Sequence, residues 1–348
     1  MAIALHQTIQ RLLLIGVRFE PVQASPTPRA PATLRPLVDA IAPVHDRFDE
    51  RAIEYGHRYR SGYWAIYLMS ALAVLFAVLP LALGWDGALH HLHPYAGAWV
   101  GAEVLVILIV SIIYWRGRRG DWQGEWLRAR STAELTAYLP LLAPLVDFEK
   151  PVEEPDWYRR VFDSYRPLPD TAEIARLCAQ NESIARGMLR QAWSEPDFAT
   201  GYATWAIDIL AGQRAYHRRA AIRQHATIRR AHALNASLFG LTAIGALLHL
   251  TLHATWLAIV TTFFPALGAS IHGGMAQSES HRLATTSERL VEELELVAER
   301  IRSAVTGPAG EAADCDALHD AIKAAIALIL EEHHDWNLVV RPHRLALA

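Results

Sequence analysis

NASLFGLTAIGALLHLTLHATWLAIVTTFFPALGASI, residues 235–271, contains no Lys, Arg, Asp or Glu. At 1.5 Å rise per residue, these 37 residues are too long for one helix across a hydrocarbon core of about 30 Å. A split near His253–Thr255 yields two crossings, about 235–252 and 256–271, joined by a tight turn. The second of the pair is the shorter, and a buried or re-entrant segment is its alternative.

Two more apolar runs lie upstream. YWAIYLMSALAVLFAVLPLALGW covers 63–85 and AGAWVGAEVLVILIVSIIYW covers 96–115. Helices of a soluble core can be apolar all round, but rarely for about 20 residues four times over. The charge distribution decides between the two. No Lys or Arg occurs between Ser61 and Trp115 or between Ala231 and His281. Basic residues crowd the other ends of the runs, in HRYRSGYW, WRGRRGDW and HRRAAIRQHATIRRAH. By the positive-inside rule both termini and the middle segment are cytoplasmic, and two short loops face outward. Trp64, Trp85, Trp99, Trp115 and Trp256 fall near run ends, as interfacial aromatics do.

The expected fold is an all-α integral membrane protein with two tandem transmembrane hairpins and long cytoplasmic helical extensions. The expected layout begins with an N-terminal segment and Pro-rich linker over 1–37. A first hairpin unit follows over 38–150, a cytoplasmic connector over 151–202, a second hairpin unit over 203–306, and a terminal helix and tail over 307–348. HQTIQRLLLIGVRFEP has too short an apolar core for a cleavable signal and reads as a short strand or helix. What precedes the Pro-rich linker is too short to be a domain, so a shortened form of something longer is expected. In 275–306 the residues Leu283, Leu290, Leu294, Val297 and Ile301 form an apolar stripe at helical spacing. That stripe packs within the chain or on a second subunit. In 313–336 Leu318, Ile322, Ile326 and Ile329 do the same, and the apolar core AAIALIL is too short for a fifth crossing.

Composition narrows the function. The 348 residues are 52% hydrophobic, which suits membrane helices plus sizeable soluble parts. A net charge of -3 argues against nucleic-acid binding. Cys178 and Cys315 give neither a disulfide framework nor zinc spacing. No phosphate-binding glycine loop, HExxH, GxSxG or GxGxxG occurs, so neither enzyme chemistry nor a cofactor is expected. His90, His91 and His93, and separately Glu331, Glu332, His333, His334 and Asp335, are polar clusters better read as solvated than as metal sites. Glu103 stands about 10 Å inside the second crossing, where an ionisable group is costly. It is the candidate pore or gating carboxylate, against a hydrogen-bonded packing role, and His249 in the third crossing is a weaker candidate of the same type. Gly97 and Gly101 have the spacing that lets a neighbouring helix approach, and Gly240 and Gly245 resemble them more loosely.

One polar pattern follows both hairpins. GDWQGEWLRARSTAE (120–134) and GMAQSESHRLATTSE (274–288) match at Gly120/Gly274, Gln123/Gln277, Glu125/Glu279, Arg128/Arg282, Thr132/Thr286 and Glu134/Glu288. Their shared place makes duplication the better explanation. As helices leaving the membrane they carry ion pairs: Glu125–Arg128 and Glu279–Arg282 at i, i+3, and Arg130–Glu134 at i, i+4, with Glu288 as the counterpart of Glu134. An anionic ligand at Arg128 and Arg282 is the alternative.

This layout resembles the SLATT superfamily, two-transmembrane effector modules associated with nucleotidyltransferases and nucleotide-sensor domains. The resembling residues are Tyr59 to Tyr63, then Trp126, Arg128, Ser131, Ala133 and Glu134, and in the second half Tyr216 to Arg218, Phe264 to Ala269, and Arg282 to Glu288. The resemblance spans most of 40–340 as two tandem units. It implies a non-enzymatic effector in the bacterial inner membrane that forms pores or perturbs the bilayer on a nucleotide signal in anti-phage defence. It also implies a homo-oligomer and a separate nucleotide-sensing partner, because no sensor domain precedes the linker. A membrane-anchored scaffold that binds cytoplasmic partners is the alternative.

Overall fold

The computed structural model describes residues 5–19, 28–83, 96–145, 171–195, 197–252, 254–306 and 314–340. Every regular element among them is helical. In chain order these are α1 (Leu5–Leu13), α2 (Arg35–Ala82), α3 (Ala96–Arg119), α4 (Trp122–Leu142), α5 (Thr171–Ala192), α6 (Phe198–Leu252), α7 (Phe264–Gln277), α8 (Ser280–Val305) and α9 (Cys315–Val340). The loop histidines 90, 91 and 93 lie outside the described residues. So do the side chains of His333, His334 and Asp335.

Two rods organise the molecule. At 48 and 55 residues, α2 and α6 reach about 72 and 82 Å at 1.5 Å per residue. Pro36 sits in the first turn of α2, where a missing N–H costs nothing. Helix α4 runs alongside α2, and α8 alongside α6. At the apolar end α3 packs on α2, and α7 packs on both α6 and α2. A five-residue π-helical turn, Ile259–Phe263, leads into α7. From Leu257 to Gln277 this segment is about 30 Å long.

Three zones follow one another along the rods. The distal bundle buries Leu34, Leu37 and Ile41 of α2 against Leu135, Leu139 and Leu142 of α4. Tyr202 and Leu210 of α6, Leu290, Leu294 and Ile301 of α8, and Leu318, Ile322 and Ile326 of α9 complete it. The stripe read from 283–301 is therefore used within the chain. An aromatic middle zone contains Tyr59, Tyr63, Trp64 and Trp126. The apolar end has only a thin core, Ala231, Leu238 and Ile271.

That thin core is informative. Four helical stretches are long and apolar enough to cross a membrane, and the most apolar part of α3 is only 6% buried. Val100, Val104, Leu105, Leu108 and Ile112 of α3 are exposed, as are Phe239, Leu241, Ile244, Leu247 and Leu250 of α6. Isolated exposed apolar residues are ordinary, but soluble monomers rarely expose a continuous apolar band along two helices, which marks a membrane or partner surface.

Two inter-helix turns carry an acidic residue in the left-handed region, Asp121 (φ 42°) before α4 and Glu279 (φ 51°) before α8. The matched polar segments do not align these turns. Their register pairs Asp121 with Met275, four residues before Glu279. Four residues are close to one helical turn, so buried positions still coincide: Trp126 with Ser280, Ala133 with Ser287, Thr136 with Leu290. Glu279 stands just before α8, as its N-cap residue.

Candidate functional site

Where the apolar zone gives way to the aromatic one, the helices line a cavity of about 350 Å³ with polar and apolar walls. Its walls come from both halves of the chain and from α1. Helix α2 contributes Tyr59, Arg60, Tyr63 and Trp64, and α4 contributes Trp126, Arg130 and Glu134. Gln213, Tyr216, His217 and Gln224 come from α6. Gln277, Ser278, Ser280, Leu283 and Ser287 come from the end of α7 and the start of α8. His6 of α1 lies on the remaining side. The segment read as a short strand or helix is thus a helix that covers the cavity.

Local geometry ties the walls together. The Gln277 amide donates to the Tyr59 hydroxyl at 2.8 Å, which joins α7 to α2. His217 Nδ1 and Ser287 Oγ lie 3.3 Å apart, joining α6 to α8. His6 Nδ1 is 3.2 Å from Ser61 Oγ. Close glycine contacts bring the halves together nearby. A Cβ on Gly274 would lie 2.5 Å from Cζ3 of Trp64, and one on Gly273 would lie 2.5 Å from Cε1 of Tyr67.

The charges are uneven. Arg130 is answered by Asp49 at 3.2 Å and by Glu134. Burial pushes the Glu134 carboxyl up, against the pull of Arg130 and His45. Arg60 has no such answer. Its Nε donates to the Gly56 carbonyl at 3.0 Å, and its guanidinium lies 5.2 Å from the Trp126 ring centre. No carboxylate pairs with it among the described residues. Burial lowers its pKa, and Arg130 adds to that. The same positive field depresses the nearby imidazoles. His6 is lowered to about 3 by burial, then by Arg60 and His57. His217 is lowered to about 4 by burial, then by Arg130. At neutral pH the imidazoles are therefore uncharged, and the cavity keeps one unanswered positive charge.

Of the candidate site residues named from sequence, Glu134 and Leu283 line this cavity, as do Tyr59, Arg60, Tyr63, Trp126, Tyr216, His217 and Ser287 of the segments that carry the resemblance. Glu125 and Arg128 pair with each other on the surface, with Arg51 Nη2 2.5 Å from Glu125 and Arg128 3.1 Å from Asp121. Such exposed pairs contribute about 0–1 kcal/mol. Arg282 is exposed, and Glu288 meets His225 at 2.8 Å. Leu290, Leu294, Val297 and Ile301 belong to the distal core. Glu103 lies on the face of α3 that also presents Trp99, Val106 and Val110. That face packs on α2, with the Trp99 and Phe76 ring centres 5.3 Å apart. His249 is exposed on α6, a helix with no extensive contact to α3. The two membrane candidates are therefore not brought together. A Cβ on Gly97, Gly101 or Gly240 would meet nothing within 4 Å, so those glycines mark no close approach among the described residues. At Gly245 a Cβ would lie 2.7 Å from Cγ1 of Val260.

Sequence reasoning missed Arg60, Arg130, His217 and Gln277 as one site. Arg60 sits directly before an apolar run, where a basic residue reads as a membrane anchor. Among the described residues no group of His, Cys, Asp and Glu is arranged to hold a metal ion. The architecture defines an all-helical protein with four helices able to cross a membrane. No family model, curated protein or solved structure matches the chain.

Proposed function

We propose that this chain is a non-enzymatic effector of the bacterial inner membrane. On this reading its four apolar helices cross the bilayer as two tandem hairpins, and both termini and the distal bundle are cytoplasmic. Copies of the chain associate in the membrane and perturb its permeability in anti-phage defence, with a separate protein sensing the nucleotide signal, as the SLATT resemblance implies.

The observation that supports this most is α3. It packs along one face on α2, much of its other surface is exposed and apolar among the described residues, and the packed face carries Glu103. A carboxyl group at that depth belongs on a protein-facing or water-facing surface. Rotation or displacement of α3 in an assembly would turn Glu103 toward a permeation path. The scaffold reading lost its best surface, because the stripe from Leu290 to Ile301 is covered by the chain's own helices.

The test is ion flux through liposomes containing the purified full chain. The expected result is flux above that of empty liposomes, with cation preference reduced in Glu103→Gln. Absence of flux in liposomes of both neutral and anionic lipid, at protein densities that permit assembly, would contradict the proposal.

A further inference from the structure

We propose that the cavity between the two halves binds a phosphate-bearing group, with Arg60 as its principal ligand. Arg60 is a largely enclosed guanidinium with no carboxylate partner among the described residues, and it lines the cavity. A desolvated charge left unanswered is costly, so such a residue persists where something else supplies the countercharge. Its aromatic contact with Trp126 holds the guanidinium plane but does not neutralise it.

The donor set selects phosphate over carboxylate. Gln213, Gln224, Ser280 and Ser287 line the same space as Arg60, and the only carboxylate lining it among the described residues, Glu134, is engaged by Arg130. Three or four phosphate oxygens demand more donors than two carboxylate oxygens, and an Arg fork matches them bidentately. The volume of about 350 Å³ is that of a small-ligand site. The walls come from α2, α4, α6 and the α7–α8 turn, so an occupant bridges both halves of the chain. Occupancy therefore stabilises their contact at Gln277–Tyr59. None of this depends on whether the chain conducts ions.

Phosphate of this kind has two sources. The cavity lies where the apolar helices end, so a phospholipid headgroup reaches it from the bilayer, and a soluble phosphorylated molecule reaches it from the aqueous side. Full-length protein in neutral detergent would be titrated with inorganic pyrophosphate at constant ionic strength, with thermal stability and Trp fluorescence as readouts. Native mass spectrometry of the same preparation would score retained phospholipid. The expected result for a soluble source is saturable stabilisation by pyrophosphate, weakened at least tenfold in Arg60→Gln. For a lipid source, anionic phospholipid remains on the wild type and is lost from Arg60→Gln, and pyrophosphate acts only after delipidation. Should Arg60→Gln fail to fold, Gln224→Leu and Ser280→Ala take its place, with the same weakening expected. Wild type and folded variants that behave alike toward both pyrophosphate and anionic lipid would overturn the proposal.

Discussion

Gly274→Ala tests the joint between the two halves of the chain. An alanine Cβ there would lie 2.5 Å from Cζ3 and 2.7 Å from both Cε3 and Cη2 of Trp64. Ordinary contact needs about 1 Å more. The indole is 6% exposed with Tyr63 beside it at 6.1 Å, and it lines the cavity, so the clash is relieved either by the ring turning into that space or by helix α7 moving off α2. In the second case the shift is about that distance. The Gln277–Tyr59 hydrogen bond, now 2.8 Å, would then exceed bonding range. Overpacking costs about 1–3 kcal/mol and the lost bond about 1 kcal/mol, while the gain in helix propensity returns up to about 1 kcal/mol. The net expectation is destabilisation by about 1–3 kcal/mol, a fall of a few degrees in Tm. The assay is thermal unfolding of the detergent-solubilised chain followed by size-exclusion fluorescence. Trp64→Leu removes the obstructing ring, so the double variant should lose less than the sum of the singles by about 1 kcal/mol or more. A Tm for Gly274→Ala at or above wild type, or strictly additive losses, would refute this picture of the joint.

Two further outcomes follow from burial and titration. His217 has a folded pKa near 4 against an ordinary 6.5, so the unfolded chain binds the extra proton between those values. Stability is therefore full above about pH 6.5 and declines as pH falls toward 4, by about 2 kcal/mol at pH 5 for this group alone. Unfolding midpoints at pH 7.5 and 5 should differ less in His217→Gln than in wild type, and an unchanged difference would remove His217 as a source. In the distal bundle, Leu294 is fully buried while Leu296 is 64% exposed. Leu294→Ala should cost about 2–5 kcal/mol and Leu296→Ala under about 0.5 kcal/mol, read from the same thermal assay. Equal effects would mean that the face of α8 has been assigned wrongly.

The all-helical class and the four apolar helices were legible in sequence because charge-free runs of that length have few other uses. The stripes on α8 and α9 were legible for a related reason, since 3.6-residue periodicity marks a buried face without naming its partner. The joints were not legible. The spacing of Gly97 and Gly101 invites a helix contact, yet close approaches between helices fall at Gly56, Gly245, Gly273 and Gly274. Whether a glycine meets a neighbour depends on which face it presents and on what the second helix places there, and local spacing contains neither. The cavity was hidden for the same reason. Arg60, Arg130, His217 and Gln277 lie on four helices and are joined only by packing, and Arg60 alone looks like an anchor. The repeated exit pattern was visible, but the left-handed turn at Glu279 sits one helical turn away from its expected register.

Sidedness is the most direct test of the central claim that the four apolar helices cross a membrane and return the chain to its starting side. Cys315, exposed at the start of α9, is a native reporter for the distal bundle. Leu83, 49% exposed at the far end of α2, becomes the opposite reporter as Leu83→Cys in a Cys315→Ser background. Intact spheroplasts would be treated with a membrane-impermeant maleimide before and after permeabilisation. The account predicts that Leu83→Cys is labelled from outside at once, and Cys315 only after permeabilisation. Labelling of both positions from the same side in intact spheroplasts would contradict it.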